Sequence, residues 1–312
     1  MSRPIRQPLL FVAVLAIAAA CRQQAQAPRR ETADLSTRIE RLVEQFLTSD
    51  DEAREKASLA EARAIFEQEG VPGVAKVGDH AAYRFVFINM VGQEPDFQKR
   101  FAASVKAAGE RHELPEDAVV FADVVNRQRE MAVAYSTRTP SDPGLRDRIT
   151  TLLEADQAVR QKGGFDAQKM AAADQRTARP LQDILDRHGV PTYDMVGIEA
   201  AKGFIVMVQH QPAAFRRAVL PKLKANVDAG QADASTFAMV YDRSQRDQGQ
   251  NQLYGQQLEC AADKTLKVAP LDDAAHVDMR RAQLGLMRID IYEPLVREQS
   301  PDLCGATAPT RP

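Results

Sequence analysis

The chain of 312 residues has no tryptophan, and its aromatic residues make up only 6% of the total. Proteins that bind single-stranded nucleic acid stack bases on aromatic side chains, so this scarcity argues against that class. The chain also lacks an excess of either charge, because 41 Lys and Arg stand against 43 Asp and Glu. Nucleic-acid-binding domains usually carry a basic excess, so we expect no nucleic-acid partner.

Signature motifs of several common enzyme classes are also missing. The sequence contains no G-x-S-x-G, no phosphate-binding G-x-x-x-x-G-K-[ST], no G-x-G-x-x-G, and no CxxC or HExxH. These motifs mark serine hydrolases, nucleotide-binding domains and metal sites. Their absence disfavours those classes, and the sequence predicts neither a cofactor nor a bound metal.

The apolar run at residues 9–20 is too short to cross a bilayer. Its twelve residues give about 18 Å of helix, against a hydrocarbon core of about 30 Å. Arg3 and Arg6 precede the run and small residues end it, a pattern typical of a bacterial secretory signal. We therefore predict a signal peptide over residues 1–20, with a short transmembrane anchor as the alternative.

Residues 18–21 read Ala-Ala-Ala-Cys and resemble a lipoprotein box, in which the cysteine is lipid-modified. We predict that Cys21 carries a lipid anchor, that the membrane is its partner, and that residues 21–35 form a polar tether. Arg22 stands where an aspartate would follow the cysteine. By resemblance to sorted lipoproteins, this favours the outer membrane, facing the periplasm. The alternative is simple cleavage after Ala20, which would release a soluble periplasmic protein.

Only two other cysteines occur, Cys260 and Cys304. Two remaining thiols in an exported protein, which folds in an oxidising compartment, suggest a disulfide bond. Two unpaired cysteines are the alternative.

The chain contains an internal repeat with an offset of 119 residues. Residues 70–91 and 189–210 share eight identities in 22 positions, including Gly-Val-Pro at the start of each segment. The same offset returns at Asp123 and Asp242, and again at Tyr135 and Tyr254. A collinear series at one offset indicates a duplication.

Both copies have the composition of helical domains. Helix-forming residues precede each Gly-Val-Pro, and glycine followed closely by proline is typical of a helix end. The apolar runs at 83–91 and 203–208 fit a buried helix or a strand, and we predict buried central helices. The predicted fold is mainly α, a tandem duplication of a four-helix unit.

The predicted boundaries follow from this repeat. Residues 36–148, called copy one, form a degenerate repeat, and residues 149–300, called copy two, form the fuller one. We expect copy two to continue into a small β-hairpin near residues 253–270 and one more helix near 272–284. Residues 301–312 are predicted to be a loose tail.

Copy two contains short motifs in a collinear order. They are residues 156–160 (Asp-Gln-Ala-Val-Arg), 189–191 (Gly-Val-Pro), 196–197 (Val-Gly), 209–210 (Gln-His), 215–217 (Phe-Arg-Arg), 241–243 (Tyr-Asp-Arg), 254–257 (Tyr-Gly-Gln-Gln) and 280–286. With them, the stretch of about residues 150–295 resembles the bacterial family of unknown function DUF6624. The family usually has Thr at Gln256 and Ala-Asp at Gln211 and Pro212. The resemblance implies no activity, because the family has none assigned.

Copy one departs from copy two at the polar motifs. Met90 and Val91 stand where copy two has Gln209 and His210. Of the later Tyr-Gly-Gln-Gln motif, copy one keeps only the tyrosine. We therefore place any functional site in copy two.

His210 is the central candidate residue. An imidazole oriented by a carboxylate can act as a general base near neutral pH, and Asp242 is the predicted orienting residue. An arginine can hold an anionic group with two hydrogen bonds. The predicted ligand-binding residues are Gln209, Tyr254, Gln257, Arg280 and Arg281. The alternative is that all these residues form a structural network between the helices and the hairpin.

Two functions remain open at this point. We expect a lipid-anchored envelope protein that acts as a non-catalytic binding or interaction module, with an unidentified protein or small-molecule partner. The alternative is a hydrolase-type enzyme that uses His210 with Asp242 in copy two.

Overall fold

The computed structural model describes residues 35–161, 167–300 and 304. The predicted signal peptide, Cys21, almost all of the tether and most of the predicted tail lie outside these residues. Within the described part of the chain, no helix combines the length and apolarity needed to span a membrane.

The described residues form thirteen α-helices and one two-stranded antiparallel sheet, so the mainly α prediction is confirmed. Copy one contains α1 (Leu35–Thr48), α2 (Glu52–Glu69), α3 (Val74–Val91), α4 (Pro95–Glu110) and α5 (Glu116–Ser136). The predicted boundary at residues 148 and 149 falls inside α6 (Pro143–Gln161), which we count with copy two. Copy two also contains α7 (Ala167–His188), α8 (Tyr193–Val196), α9 (Ile198–Val208), α10 (Ala213–Asp228) and α11 (Ala234–Arg246). An extension follows with β1 (Leu258–Cys260), β2 (Leu266–Val268), α12 (Val277–Ala282) and α13 (Ile289–Gln299).

Each copy begins with a helix that the four-helix prediction did not include. These helices are α1 and α6, which pack against α2 and α3 and against α7 and α9, respectively. The sequence identities that define the repeat begin only at Gly70 and Gly189, so α1 and α6 gave no signal of duplication.

Glycine residues give the two copies the same backbone course. Gly70 and Gly189 end α2 and α7 with φ values of 74° and 75°. Gly78, which kinks α3, and Gly197, which separates α8 from α9, both have φ of 80°, with ψ of 166° and 168°. This region of the backbone map is essentially restricted to glycine. The repeated glycines therefore set the same break before each central helix.

The central helices are buried, as predicted. The apolar run of α3 packs against α1, α2, α4 and α5, and α9 packs against α6, α7 and α11. Phe85 and Phe204, which are related by the offset of 119, are both fully buried. Each copy therefore surrounds its own hydrophobic core.

The extension of copy two packs on copy one. Ala282 of α12 and Ile291 of α13 belong to the core of copy one. Between them, Arg288 donates hydrogen bonds to the carboxylates of Asp117 and Asp79. The Arg288 guanidinium also lies 4.2 Å from the ring centre of Tyr83. The two copies are thus separate in sequence, but residues of copy two pack into the core of copy one.

In the extension, the helix and the hairpin have different lengths from those predicted. The predicted helix at 272–284 is a 3₁₀ turn (Ala274–His276) followed by α12, and α13 was not predicted. In the hairpin, Leu258 pairs with Val268 and Cys260 with Leu266, so its strands are shorter than expected. The Cys260–Cys304 disulfide is confirmed, and it ties the end of the described chain to β1.

Candidate functional site

The predicted site residues of copy two lie in two separate clusters. The first holds the loop after α11, and we call it the loop clamp: Asp242, residues 252–257, Arg280 and Arg281. The second lies around the end of α9, and we call it the histidine cluster: Asp156, Arg160, Asp174, His210 and Arg243.

Asp242 is fully buried and accepts hydrogen bonds from three backbone amides. The donors are the N–H groups of Leu253 at 2.9 Å, Tyr254 at 3.1 Å and Gln256 at 2.9 Å. Burial raises the pKa of Asp242 above its ordinary value, and the three amide hydrogen bonds oppose that rise. Both oxygens are engaged by the loop, which corrects the prediction that Asp242 orients His210.

Arg281 does not present its charge to a ligand site. Its side chain is 1% exposed, donates to the backbone carbonyls of Tyr254 and Met287, and lies 4.6 Å from the ring centre of Tyr292. Arg280 likewise donates to backbone carbonyls, those of Leu253 and Asp272 among them. Both guanidinium groups therefore hold the backbone of this chain, and Arg280 also pairs with the carboxylate of Asp273 at 3.3 Å. Their binding of a ligand stays a prediction.

Tyr254 and Gln257 belong to the same structural network. The Tyr254 ring packs edge-on against the rings of Phe237 and Tyr241. The backbone N–H of Gln257 donates to Oε1 of Gln252 at 2.8 Å, and its carbonyl accepts from Nε2 of Gln252. Gln252 is fully buried and was not predicted. The structural alternative stated from the sequence therefore describes this cluster.

His210 lies just beyond α9 and is half-buried. Four charged groups act on its ring: Arg160, Arg243, Asp156 and Asp174. They come from α6, α7 and α11, so three helices converge on the end of the central helix. Burial, together with Arg160 and Arg243, lowers the pKa of His210 to about 4. The ring is therefore neutral at neutral pH, with one nitrogen able to donate and the other able to accept.

Arg160 links two helices beside His210. It donates to both oxygens of Asp156, at 3.0 and 2.8 Å, and to the carboxylate of Asp174 on α7. Asp156 also accepts from Nε2 of Gln157 at 2.9 Å. The Asp156 and Arg160 side chains are buried or nearly so. Their spacing of four residues on a helix was visible in the sequence, but we did not assign them to a site.

Arg216, on α10, supports the turn that carries His210. It donates to the backbone carbonyls of Gln209 and Gln211 and to the carboxylate of Asp247. In copy one, the aligned residue Gln98 donates to the carbonyl of Met90 at 2.8 Å. The turn is therefore held in the same way in both copies, by a neutral amide in one and by a charged group in the other.

Copy one does not contain the histidine cluster. At the repeat offset, the chain has Val91 in place of His210 and Val124 in place of Arg243. Copy one nevertheless forms the same central helix and the same glycine breaks. The fold therefore requires neither His210 nor Arg243 at these positions. Among the residues that the structure describes, no group of three or more His, Cys, Asp or Glu is placed to hold a metal ion.

We predict that Asp242→Asn destabilises the protein by about 3 kcal/mol, because three buried amides lose an ionised acceptor. Urea denaturation measures the loss, and faster amide exchange at Tyr254 and Gln256 locates it. The control is Asp123→Asn, the aligned position in copy one, where an exposed carboxylate pairs with Arg127 at 3.0 Å. That change should cost less than about 0.5 kcal/mol. Equal effects of the two substitutions would contradict the clamp.

We predict that His210 lowers stability as the solution becomes acidic. Its pKa is about 4 in the folded chain and about 6.5 when unfolded, so the unfolded state binds the proton first. Stability should fall between pH 6.5 and 4, by at most about 1.4 kcal/mol per pH unit. Urea denaturation across this range should show a shallower decline for His210→Val, which introduces the residue of copy one. His112→Gln, at an exposed loop position, should leave the wild-type slope.

Comparisons with known proteins give one match. No curated protein and no solved structure matches the chain. A family model, described as a family of unknown function, matches residues 143–301, which is just over half of the chain. The match begins at α6 and ends just after α13, so it covers copy two together with the extension that packs on copy one. The chain therefore belongs to the family of unknown function DUF6624.

Proposed function

We propose that this protein is a non-catalytic ligand-binding module of the bacterial cell envelope. A lipid on Cys21 holds it to the outer membrane, facing the periplasm. The histidine cluster of copy two is its binding site, and copy one is a structural partner that completes the packing of the extension.

The observation that carries this proposal is that His210 and Arg243 occur in only one of two copies with the same backbone. Moving charged groups out of water costs free energy unless they are well paired. Copy one reaches the same geometry with Val91 and Val124 at the cluster positions. Because the fold does not require these groups, their desolvation cost needs another reason. Binding of a ligand by the charged groups and the neutral His210 ring would supply that reason.

The arrangement supports binding more than catalysis. A general base works best with a pKa near the working pH, and the pKa of His210 is lowered to about 4. The hydrolase alternative also needs Asp242 as an orienting carboxylate, and Asp242 accepts hydrogen bonds from the 252–257 loop instead. Arg160, paired with two carboxylates, is held in place rather than free to move.

The proposed location is supported by the sequence before residue 22 and by the disulfide. The basic and apolar segments followed by Cys21 have the pattern of a lipoprotein signal. A Cys260–Cys304 bond suits an oxidising compartment such as the periplasm. Cleavage without lipidation would instead leave a soluble periplasmic protein.

We predict that cells expressing the chain incorporate a labelled fatty acid into it, because the lipid is attached through Cys21. The measurement is the label in the purified protein after removal of free lipid. Cys21→Ser should abolish incorporation. A wild-type chain that takes up no label would contradict the anchor and favour the soluble periplasmic form.

We predict that protein purified gently from envelopes retains a small molecule, detected as added mass by native mass spectrometry. His210→Ala should lose that mass, because it removes the ring at the centre of the cluster. Val91→Ala, the aligned change in copy one, should keep it. No added mass in the wild type, or equal retention by both variants, would contradict the proposed site. Chemical conversion of the retained molecule by the wild type alone would favour the hydrolase.

A further inference from the structure

Both copies have a cleft between their first and second helices. The cleft between α1 and α2 has a volume of about 310 Å³, and the cleft between α6 and α7 about 360 Å³. Since α2 and α7 end at the aligned residues Gly70 and Gly189, positions along these helices can be compared one by one. The cleft of copy two can therefore be compared with the corresponding cleft of copy one in the same chain.

The two clefts carry opposite charge. Asp50, Arg54 and Glu61 line the cleft of copy one, which leaves it net negative. Among the residues that the structure describes, the charged ones lining the cleft of copy two are Lys169 and Arg176, and both are basic.

The change of charge can be followed position by position. At the offset of 119, Arg176 stands where copy one has Ala57, and Lys169 where it has Asp50. Ala57 and Asp50 line their own cleft, as Arg176 and Lys169 line theirs. The difference in charge therefore arises at corresponding positions of the same structural feature.

The walls of the copy two cleft combine these cations with small apolar side chains. Lys169, Ala172 and Arg176 are spaced by three and four residues along α7 and so share one helix face. Val159 lines the opposite side, from α6. Arg176 is exposed and forms no salt bridge with any residue that the structure describes. Its guanidinium can therefore accept an anionic partner without first losing one.

The cleft uses the same two helices as the histidine cluster. Val159 directly precedes Arg160, and Ala172 lies two residues before Asp174. Arg160 joins these helices by bonding to Asp174 on α7. The Arg160–Asp174 ion pair holds α6 and α7 together. The two sides of the cleft therefore keep a fixed distance from each other.

We propose that the α6–α7 cleft binds a small carboxylate with a short apolar chain. This adds to copy two a second site with a stated ligand class, on two of the helices that also carry the histidine cluster. The guanidinium of Arg176 is suited to a carboxylate because it can donate two parallel hydrogen bonds. Lys169 adds a second positive charge, and Val159 and Ala172 contact the apolar chain. A volume of 360 Å³ lies within the usual range of small-molecule sites, about 300–1,000 Å³.

The test titrates the full chain carrying Cys21→Ser with hexanoate, hexanol and hexylamine. These probes share one apolar chain and differ in the charge of the head group. Amide NMR signals report where each probe binds. Hexanoate should shift signals of α6 and α7 in a saturable manner, and should not shift those of α1 and α2. Hexanol and hexylamine should bind at least about tenfold more weakly, because they lack the anion that Arg176 pairs with.

Two arginine variants of α7 distinguish a specific contact between Arg176 and the carboxylate from the general effect of removing a positive charge. Arg176→Ala introduces the residue of copy one and should weaken hexanoate binding about tenfold. Arg179→Ala removes another exposed charge of α7 that is not among the residues lining the cleft, and should leave hexanoate binding unchanged. Equal weakening by both variants, equal binding of the three probes, or no saturable shift would overturn the proposal.

The outcome is distinguishable from a failure of the proposed function. If native protein retains a molecule that depends on His210, and hexanoate does not bind, the ligand site is in copy two but the carboxylate assignment is wrong. If hexanoate binds through Arg176 and no molecule depends on His210, the cleft proposal stands and the histidine cluster is not the binding site.

Discussion

The buried carboxylate of Asp242 directs the chain after α11, and the packing of both copies depends on that direction. Three amides of the 252–257 loop donate to it, so the loop turns back over the end of copy two. Arg281 holds the same loop from the other side, through the Tyr254 carbonyl. From this clamp the extension continues to copy one, where Arg288 pairs with Asp117. A single buried acceptor thus links the local turn to the assembly of the whole molecule.

Comparison of the two copies distinguishes residues that the shared fold requires from residues that only copy two contains. Glycines at 70, 78, 189 and 197 repeat the same backbone angles, and one buried phenylalanine, Phe85 or Phe204, repeats in the central helices. His210, Arg243 and the basic residues of the α6–α7 cleft have no charged or imidazole counterpart of the same kind in copy one. Asp242 illustrates the same division, since its counterpart Asp123 forms an exposed pair with Arg127. An aligned residue takes a different role when no loop is present for it to bind.

Much of the fold was predictable from local sequence, and the grouping of the candidate site was not. Most helices and their glycine ends followed from residue type and spacing, and the disulfide was suggested by the number of cysteines in an exported chain. The pairing of His210 with Asp242 was wrong because adjacent helix residues differ in direction by about 100°. On α11, Asp242 faces the loop, whereas the next residue, Arg243, acts on His210. Asp156 and Arg160 were missed because their spacing of four residues is that of an ordinary helix ion pair, and nothing in the sequence places that pair beside His210.

The duplication, most of the helical segments and the two buried central helices could be predicted from the amino-acid sequence alone. These depend on interactions within a few residues, or on a comparison of one copy with the other. The tertiary structure decided which charged residues meet, that the extension of copy two completes the core of copy one, and that the two clefts differ in charge. Such contacts depend on how helices pack and rotate against one another, and a side chain's position along the chain does not specify its partner.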